Sequence, residues 1–459
     1  MVKQNKSRRR FMGDIASLIA LGGSAAMLGP LKLMNAALAN SSGSGTPYRA
    51  LVCIYLGGGN DSFNLVVPND ASGYASYAAA RGSLAVAQDQ LLPITPLSGG
   101  SYGFHPSCPD LQDLFNSSEL SVVSNIGPLV VPTSKLEYQT GSVALPPQLF
   151  SHSDQTRLWQ RGRAVSNFNY GWGGLSGDRI QVLNPPSALA PVISISGQNV
   201  FQVGENVVQY QMLPSGPVPL SGYADSDPFG AQRNQALDEL LNLSYGDLFE
   251  AESAAVLKRA RELEEEIGAA LDAAPALATV FPAAGSNPLA DQLLMVARMI
   301  QVRGTLGPNR QIYYVNLGGF DTHAAQLVDQ PQLLGALSEA IGAFWNALVE
   351  LGVQSQVTSF TMSEFARTLN SNGDGSDHGW GGNQLVLGGS VAGGTIHGSF
   401  PEVMLNGPDS LNRGQMIPTT AVEQLAAPLA QWVGVDPTDI ATVFPNLGNF
   451  PAGGLPIML

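Results

Sequence analysis

Two stretches of this chain are written in the same order: an apolar run, a cluster of glycines, then an acid. In the first, Arg49 to Leu56 (RALVCIYL) leads into Gly57, Gly58, Gly59, Asn60 and Asp61. In the second, Gln311 to Leu317 leads into Gly318, Gly319, Phe320, Asp321, Thr322 and His323. Apolar runs rich in β-branched and aromatic residues predict buried strands. The glycines release the backbone from the sheet, and in an open α/β sheet chemistry sits just past the carboxyl ends of the strands. A carboxylate and an imidazole two residues apart at such a place are good ligands for a borderline divalent metal. The plainer alternative is an Asp capping the next helix beside a surface His.

Further strands are predicted over Leu120 to Ile126, Pro191 to Ser196, Gln356 to Met362 and Gln384 to Leu387. Helices alternate with them, over Asp110 to Phe115, Asp154 to Gln160 and Leu333 to Leu351, the last closed by Gly352. This alternation predicts an α/β fold, a doubly wound and mostly parallel sheet with helices on both faces. The stretch Tyr245 to Ala273 is rich in Ala, Glu, Leu, Lys and Arg, and Asn287 to Arg303 is a second helical pattern. Together they read as a helical insertion at about 228–305, a solvated structural pair rather than a lid.

The amino terminus reads as an export signal. Ser7-Arg8-Arg9-Arg10-Phe11-Met12 resembles the twin-arginine consensus, a Gly/Ala-rich apolar segment runs from Ile15 to Leu28, and Ala37-Leu38-Ala39 fits a small-x-small cleavage site. The expected organisation is a signal peptide over 1–39, a Ser/Gly linker over 40–46 and a single domain over 47–459, delivered folded to the periplasm or outside by the twin-arginine machinery. The apolar segment is too short and glycine-rich for a stable membrane span, which leaves an uncleaved anchor as the alternative. Residues 1–39 carry six basic residues and one acid, so their removal takes the formal charge from −14 to about −19. That argues against nucleic acid and anionic membranes as partners, and an anionic substrate would need a local positive feature such as a metal ion. Cys53 and Cys108 are the only cysteines; an oxidising compartment allows a disulfide between them, but Cys53 lies within the apolar strand pattern and reads as a buried free thiol.

Acids and imidazoles recur at several strand ends: Asp61, Asp321 with His323, Glu364 followed by Arg367, and Asp377 with His378 in a Gly-rich loop. A mixed carboxylate and imidazole set suits zinc, manganese, iron, magnesium or calcium better than copper or haem. For each residue alone, a cap or a solvated loop position is the competing reading. Ser151-His152-Ser153-Asp154 opens a helix, where Ser151, His152 and Ser153 are candidates for catalysis or anion binding, and Ser151 or Ser153 equally for plain N-capping. No G-x-S-x-G elbow, Walker motif or strand-linked G-x-G-x-x-G is present, which lowers the serine-hydrolase and nucleotide readings.

The motifs LVCIYLGGGNDSFN (51–64), SHSDQTRLWQ (151–160), GGFDTHAAQ (318–326), SEFART (363–368) and DHGWGGNQLVLGG (377–389) resemble, in this order, the exported family called domain of unknown function 1501. That family resembles in fold the alkaline phosphatase, sulfatase and cofactor-independent phosphoglycerate mutase superfamily. The resemblance implies two metal sites above a parallel sheet. Asp61 would be the first-strand acid, Asp321 and His323 would serve the second metal, Glu364 would stand where an Asp-His pair is usual, and His378 would match the last histidine ligand. The chain departs from that pattern at three points. The 321–323 spacing is shorter than usual, Phe365 replaces a histidine, and Gln148 falls where a hydroxyl nucleophile belongs.

The leading expectation is an exported, metal-dependent hydrolase-like protein acting on the phosphate or sulfate ester of an anionic small molecule or glycan, with His152 or His378 as acid or base and Arg157 or Arg367 as an anion clamp. The alternative is a catalytically degenerate envelope binding or assembly protein on the same fold. A serine esterase is a distant third.

Overall fold

The computed structural model describes residues 47–459 apart from 166–167, 187–188, 224–228 and 452. The expected signal peptide (1–39) and linker (40–46) lie outside the described residues.

At the centre of the main sheet is β1 (Arg49–Leu56). In chain order the other elements that matter here are α1 (Pro109–Asn116), β2 (Leu120–Gly127), α2 (His152–Arg161), α3 (Trp172–Ile180), β3 (Val192–Ser194), β4 (Tyr210–Leu213) and β5 (Gly216–Pro217). There follow α4 (Gly230–Leu241), α5 (Leu248–Ala273), α6 (Pro288–Gln301), β6 (Arg310–Leu317), α7 (Gln326–Glu350), β7 (Val357–Met362), β8 (Arg367–Ser371) and β9 (Ser376–His378). The chain ends with β10 (Gly382–Leu387), β11 (Ile396–His397), β12 (Thr420–Ala421) and α8 (Val422–Val433). The sheet order is β11-β2-β10-β7-β1-β6-β3-β4-β5, with β12 also on β2. β7, β1, β6, β3 and β4 run parallel, and β10 is antiparallel to both its neighbours. The fold is therefore α/β with a mixed, mostly parallel sheet.

The strict alternation of β1 shows why both faces are covered. Ala50, Val52, Ile54 and Leu56 belong to the core built with α1, α6 and α7, whereas Leu51, Cys53 and Tyr55 belong to the core built with α2, α3 and α8. A strand with period-two side chains and both faces buried has no polar side to offer, hence the unbroken apolar run. Cys53 and Cys108 are both buried free thiols. Of the span expected as a helical insertion, α4 and α5 pack on each other through Leu237, Leu241 and Ala254. α6 instead lies against the sheet, where Gln292 bonds both the N–H and the carbonyl of Asn316 at the end of β6. No described helix is long and apolar enough to cross a membrane.

The register aligns the strand ends that matter. Leu56 of β1 stands opposite Leu317 of β6, and Tyr55 opposite Met362 of β7. Gly57-Gly58-Gly59, Gly318 to His323 and Ser363-Glu364 therefore leave the sheet side by side at one edge. Past that edge the hairpin β8–β9 pairs Arg367 with His378.

Candidate metal centre

Each loop that leaves this edge is held by its own chemistry. A Cβ on Gly58, whose φ is +118°, would lie 2.3 Å from the amide nitrogen of Asp321, so only glycine lets the two loops touch. A Cβ on Gly59 would lie 2.3 Å from the Phe365 ring. Phe365 in turn stacks on His378 at 4.6 Å and tilts against His152 at 4.8 Å. It acts as an apolar wedge that sets the spacing of two imidazoles.

Three of the five histidines meet here. Asp321 Oδ1 lies 3.4 Å from His152 Nε2, 3.2 Å from His323 Nε2 and 3.4 Å from His378 Nε2. His323 Nε2 and His378 Nε2 are 2.9 Å apart. The ligand atoms of His152, Asp321 and His378 all lie within 4.8 Å of one another. Every one of these rings is anchored by its other nitrogen. His152 Nδ1 donates to Glu364 Oε1 (2.8 Å), His323 Nδ1 to Asp377 Oδ1 (3.1 Å) and His378 Nδ1 to the carbonyl of Phe150 (2.7 Å). This outward donation fixes the tautomer and leaves the Nε2 lone pairs facing one another.

That arrangement fits a metal. Two imidazole lone pairs at 2.9 Å repel unless a proton or a cation lies between them. His152 Nε2 is shielded from solvent and has no hydrogen-bond partner, an orphan that a cation would satisfy. Ligands of one tetrahedral zinc stand roughly 3.3 Å apart, given metal–nitrogen bonds of about 2.0–2.1 Å, and four of the six pairs among these donor atoms stand at 2.9 to 3.4 Å.

The electrostatics of the ring follow from its neighbours. The hydrogen bond to Glu364, with the charges of Glu364 and Asp321, raises His152 above the ordinary histidine range, against the effect of partial burial. Desolvation lowers His378. Partial burial pulls Asp321 upward, but the hydrogen bond and charge of Arg367, with His152 and His323, outweigh it and hold the carboxyl below its ordinary value. Asp377 is likewise lowered: Asn372, His323 and Arg413 outweigh its burial.

The expected site residues divide into those that converge and those that do not. Asp321, His323 and His378 converge. His152, expected as a catalytic residue, joins them as a fourth donor. Glu364 and Asp377, expected as ligands, stand behind the rings instead, where their oxygens accept from His152 and His323. Glu364 is 4% exposed and also accepts from Tyr55 Oη (2.9 Å) and the Gly58 N–H (2.9 Å), so its oxygens are already engaged. Asp61 is a clear correction. Its carboxylate forms a fully buried ion pair with Arg81 and accepts from Gln326, which neutralises it away from the convergent set. Ser151 donates to Asp154 Oδ2 at 2.7 Å and sits at the N-cap position of α2, and Ser153 is exposed one position inside the helix. Arg367, expected as an anion clamp, is a strut: it is fully buried and donates to Asp321 Oδ1 (2.7 Å), the Gly58 carbonyl (3.2 Å) and the Ser376 carbonyl.

Tyr55, the Phe150 carbonyl, Asn372 and Arg413 were not legible as site residues. Tyr55 is indistinguishable in sequence from any strand aromatic. Phe150 takes part through its backbone, which adopts a left-handed φ of 70° that an aromatic residue does not advertise.

Over residues 48–442 the sequence matches the family described as protein of unknown function DUF1501. The chain belongs to that family. Solved structures similar to this member in outline include the lipoteichoic acid synthase LtaP from Listeria monocytogenes (8% identity, 85% of this chain and 73% of that one, TM-score 0.33). They also include the PsFucS1 sulfatase from Pseudoalteromonas sp. (12% identity, 88% and 70%, TM-score 0.33) and a variant of the alkaline phosphatase PafA (10% identity, 72% and 65%, TM-score 0.29). A comparison with curated proteins finds no match.

Proposed function

We propose that this DUF1501 protein is an exported, metal-dependent hydrolase of phosphate or sulfate esters, with one divalent ion held by His152, His323, His378 and Asp321. The observation that carries this reading is the convergence of three outward-anchored imidazoles on one carboxylate oxygen. Zinc, manganese or iron suits that nitrogen-rich set better than magnesium or calcium, which prefer oxygen. A bound ion would supply the positive charge that polarises an ester oxygen and lowers the pKa of a water. The chain's own residues do the rest. Glu364 and Asp377 hold the tautomers of His152 and His323, Arg367 fixes Asp321, and exposed Arg157, five residues beyond His152 on α2, offers charge to an anionic ester.

One observation favours a second reading, a binding or assembly protein: Ser151 is engaged by Asp154, and no hydroxyl nucleophile replaces it among the converging groups. Turnover abolished by a chelator and restored by metal would exclude that reading.

The test of the metal centre is elemental analysis of the exported protein, as wild type and as His323→Ala and Asp321→Ala. The expected result is close to one transition ion per wild-type chain, lost in both variants while circular dichroism stays native. A folded wild type that takes up no zinc, manganese or iron from solution refutes it.

A further inference from the structure

Beside His152 the surface opens into a cleft of about 520 Å³. This is within the range of roughly 300–1,000 Å³ usual for small-molecule sites and far more room than an inorganic anion needs. One wall is a face of α2: Ser153, Thr156, Arg157 and Gln160 follow one another at helical spacing, just past His152. The opposite wall is the loop after β3, with Ser196 and Asn199, and the floor includes Asn316 at the end of β6. The lining holds no carboxylate, and Val200 is its only aliphatic residue. Hydroxyls and side-chain amides that both donate and accept are suited to vicinal hydroxyl groups, which do the same. Tyr55 and Tyr314 also line the cleft and add aromatic surface beside these polar groups.

Two features give the cleft a direction. Arg157 is exposed, and no carboxylate is bonded to it among the described residues, so its charge is open to an anion. Asn316, half-buried at the end of β6, brings a side-chain amide to the floor of the cleft. The cleft is also tied to the ring of histidines. Thr156 Oγ1 bonds Tyr55 Oη at 2.7 Å, Tyr55 bonds Glu364 Oε2 at 2.9 Å, and Glu364 holds His152 at 2.8 Å.

We propose that this cleft is a substrate subsite for a saccharide bearing an anionic ester group, with Arg157 taking the charge and the amide and hydroxyl wall taking the sugar hydroxyls. This rests on the hydrolase reading above for its purpose but not for its binding. The test is isothermal titration of the full exported protein with a panel of sulfated and phosphorylated di- to hexasaccharides, their unmodified parents, and inorganic sulfate and phosphate. At least one anionic saccharide should bind about tenfold or more tightly than both its parent and the inorganic anion, the margin expected of a hydrogen-bonded charge. The sulfated and phosphorylated arms identify which ester is recognised. Arg157→Ala should weaken that binding about tenfold, and Arg157→Lys should restore part of it, with metal content and melting temperature unchanged. The proposal is overturned by a panel in which no anionic saccharide exceeds the inorganic anions, by equal binding of the neutral parent, or by Arg157→Ala binding like wild type. Saccharide binding by a wild type that holds no metal sinks the hydrolase reading and leaves the subsite standing.

Discussion

Replacing Glu364 by Gln isolates the charge behind His152. Glu364 is nearly fully buried and accepts three hydrogen bonds: from His152 Nδ1 at 2.8 Å, the Gly58 N–H at 2.9 Å and Tyr55 Oη at 2.9 Å. In the amide, the oxygen keeps the first two. The NH2 group faces Tyr55, whose hydroxyl turns to accept and can still donate to Thr156 Oγ1, now 2.7 Å away. The hydrogen-bond count survives, so the variant should fold, and what is lost is the negative charge that makes His152 a better donor to metal. Carboxylates in this position are worth about 10–100-fold in metal affinity, or about 1.4–2.7 kcal/mol. The same charge raises the proton affinity of His152 in the metal-free protein. Protons and metal compete for the same Nε2 lone pair, so removing the charge should lower both affinities. At pH 8 the affinity for zinc, measured by competition with a chromogenic chelator, should fall by that factor. In the metal-free protein the midpoint of His152 protonation, followed by NMR, should move to lower pH, because the charge that favours the imidazolium is gone. An affinity at pH 8 equal to wild type refutes the ring-anchoring argument, and so does a loss of affinity with no movement of that midpoint.

The remaining predictions use other parts of the chain. Asp61→Ala leaves the fully buried Arg81 without its carboxylate, so stability should fall by about 3–5 kcal/mol in urea unfolding while metal content per folded molecule is retained; loss of metal from a folded variant would restore Asp61 as a ligand. Glu423 on α8 is buried, and desolvation pushes its carboxyl up to about 8. A carboxyl with a raised folded pKa stabilises below its unfolded value and loses that contribution as pH rises through the folded one, so stability should decline between about pH 4.5 and 8 by a few kcal/mol, at about 1.4 kcal/mol per unit. Glu423→Gln should flatten that decline and raise the melting temperature at pH 8; a variant with the wild-type pH profile would show that Glu423 does not cause it. If residues 1–39 form a twin-arginine signal, Arg8→Lys with Arg9→Lys should leave uncleaved protein inside the cell in a fractionation blot, and normal export of that variant would reject the reading.

The sheet was legible because its strands are covered on both faces. Such strands must be apolar throughout, and the predicted strands at 49–56, 120–126, 191–196, 311–317, 356–362 and 384–387 each coincide with a strand to within a few residues. The glycine-then-acid grammar also identified the edge that matters, since Gly58 and Gly59 are needed where loops touch.

What the chain could not reveal by itself is how each acid is used. Asp61 and Asp321 follow their strands in the same local pattern, yet one is neutralised by a buried arginine twenty positions along and the other faces three imidazoles. Glu364 and Asp377 look like ligands in sequence and serve as anchors in space. Burial pattern and turn chemistry depend on neighbours a few residues away, so sequence alone determined the strands, the mostly parallel character of the sheet and the edge where the candidate ligands gather. The role of a charged side chain depends on which partner reaches it first in three dimensions. Only the tertiary structure, through the register of β1 with β6 and β7, brought His152, His323 and His378 around Asp321.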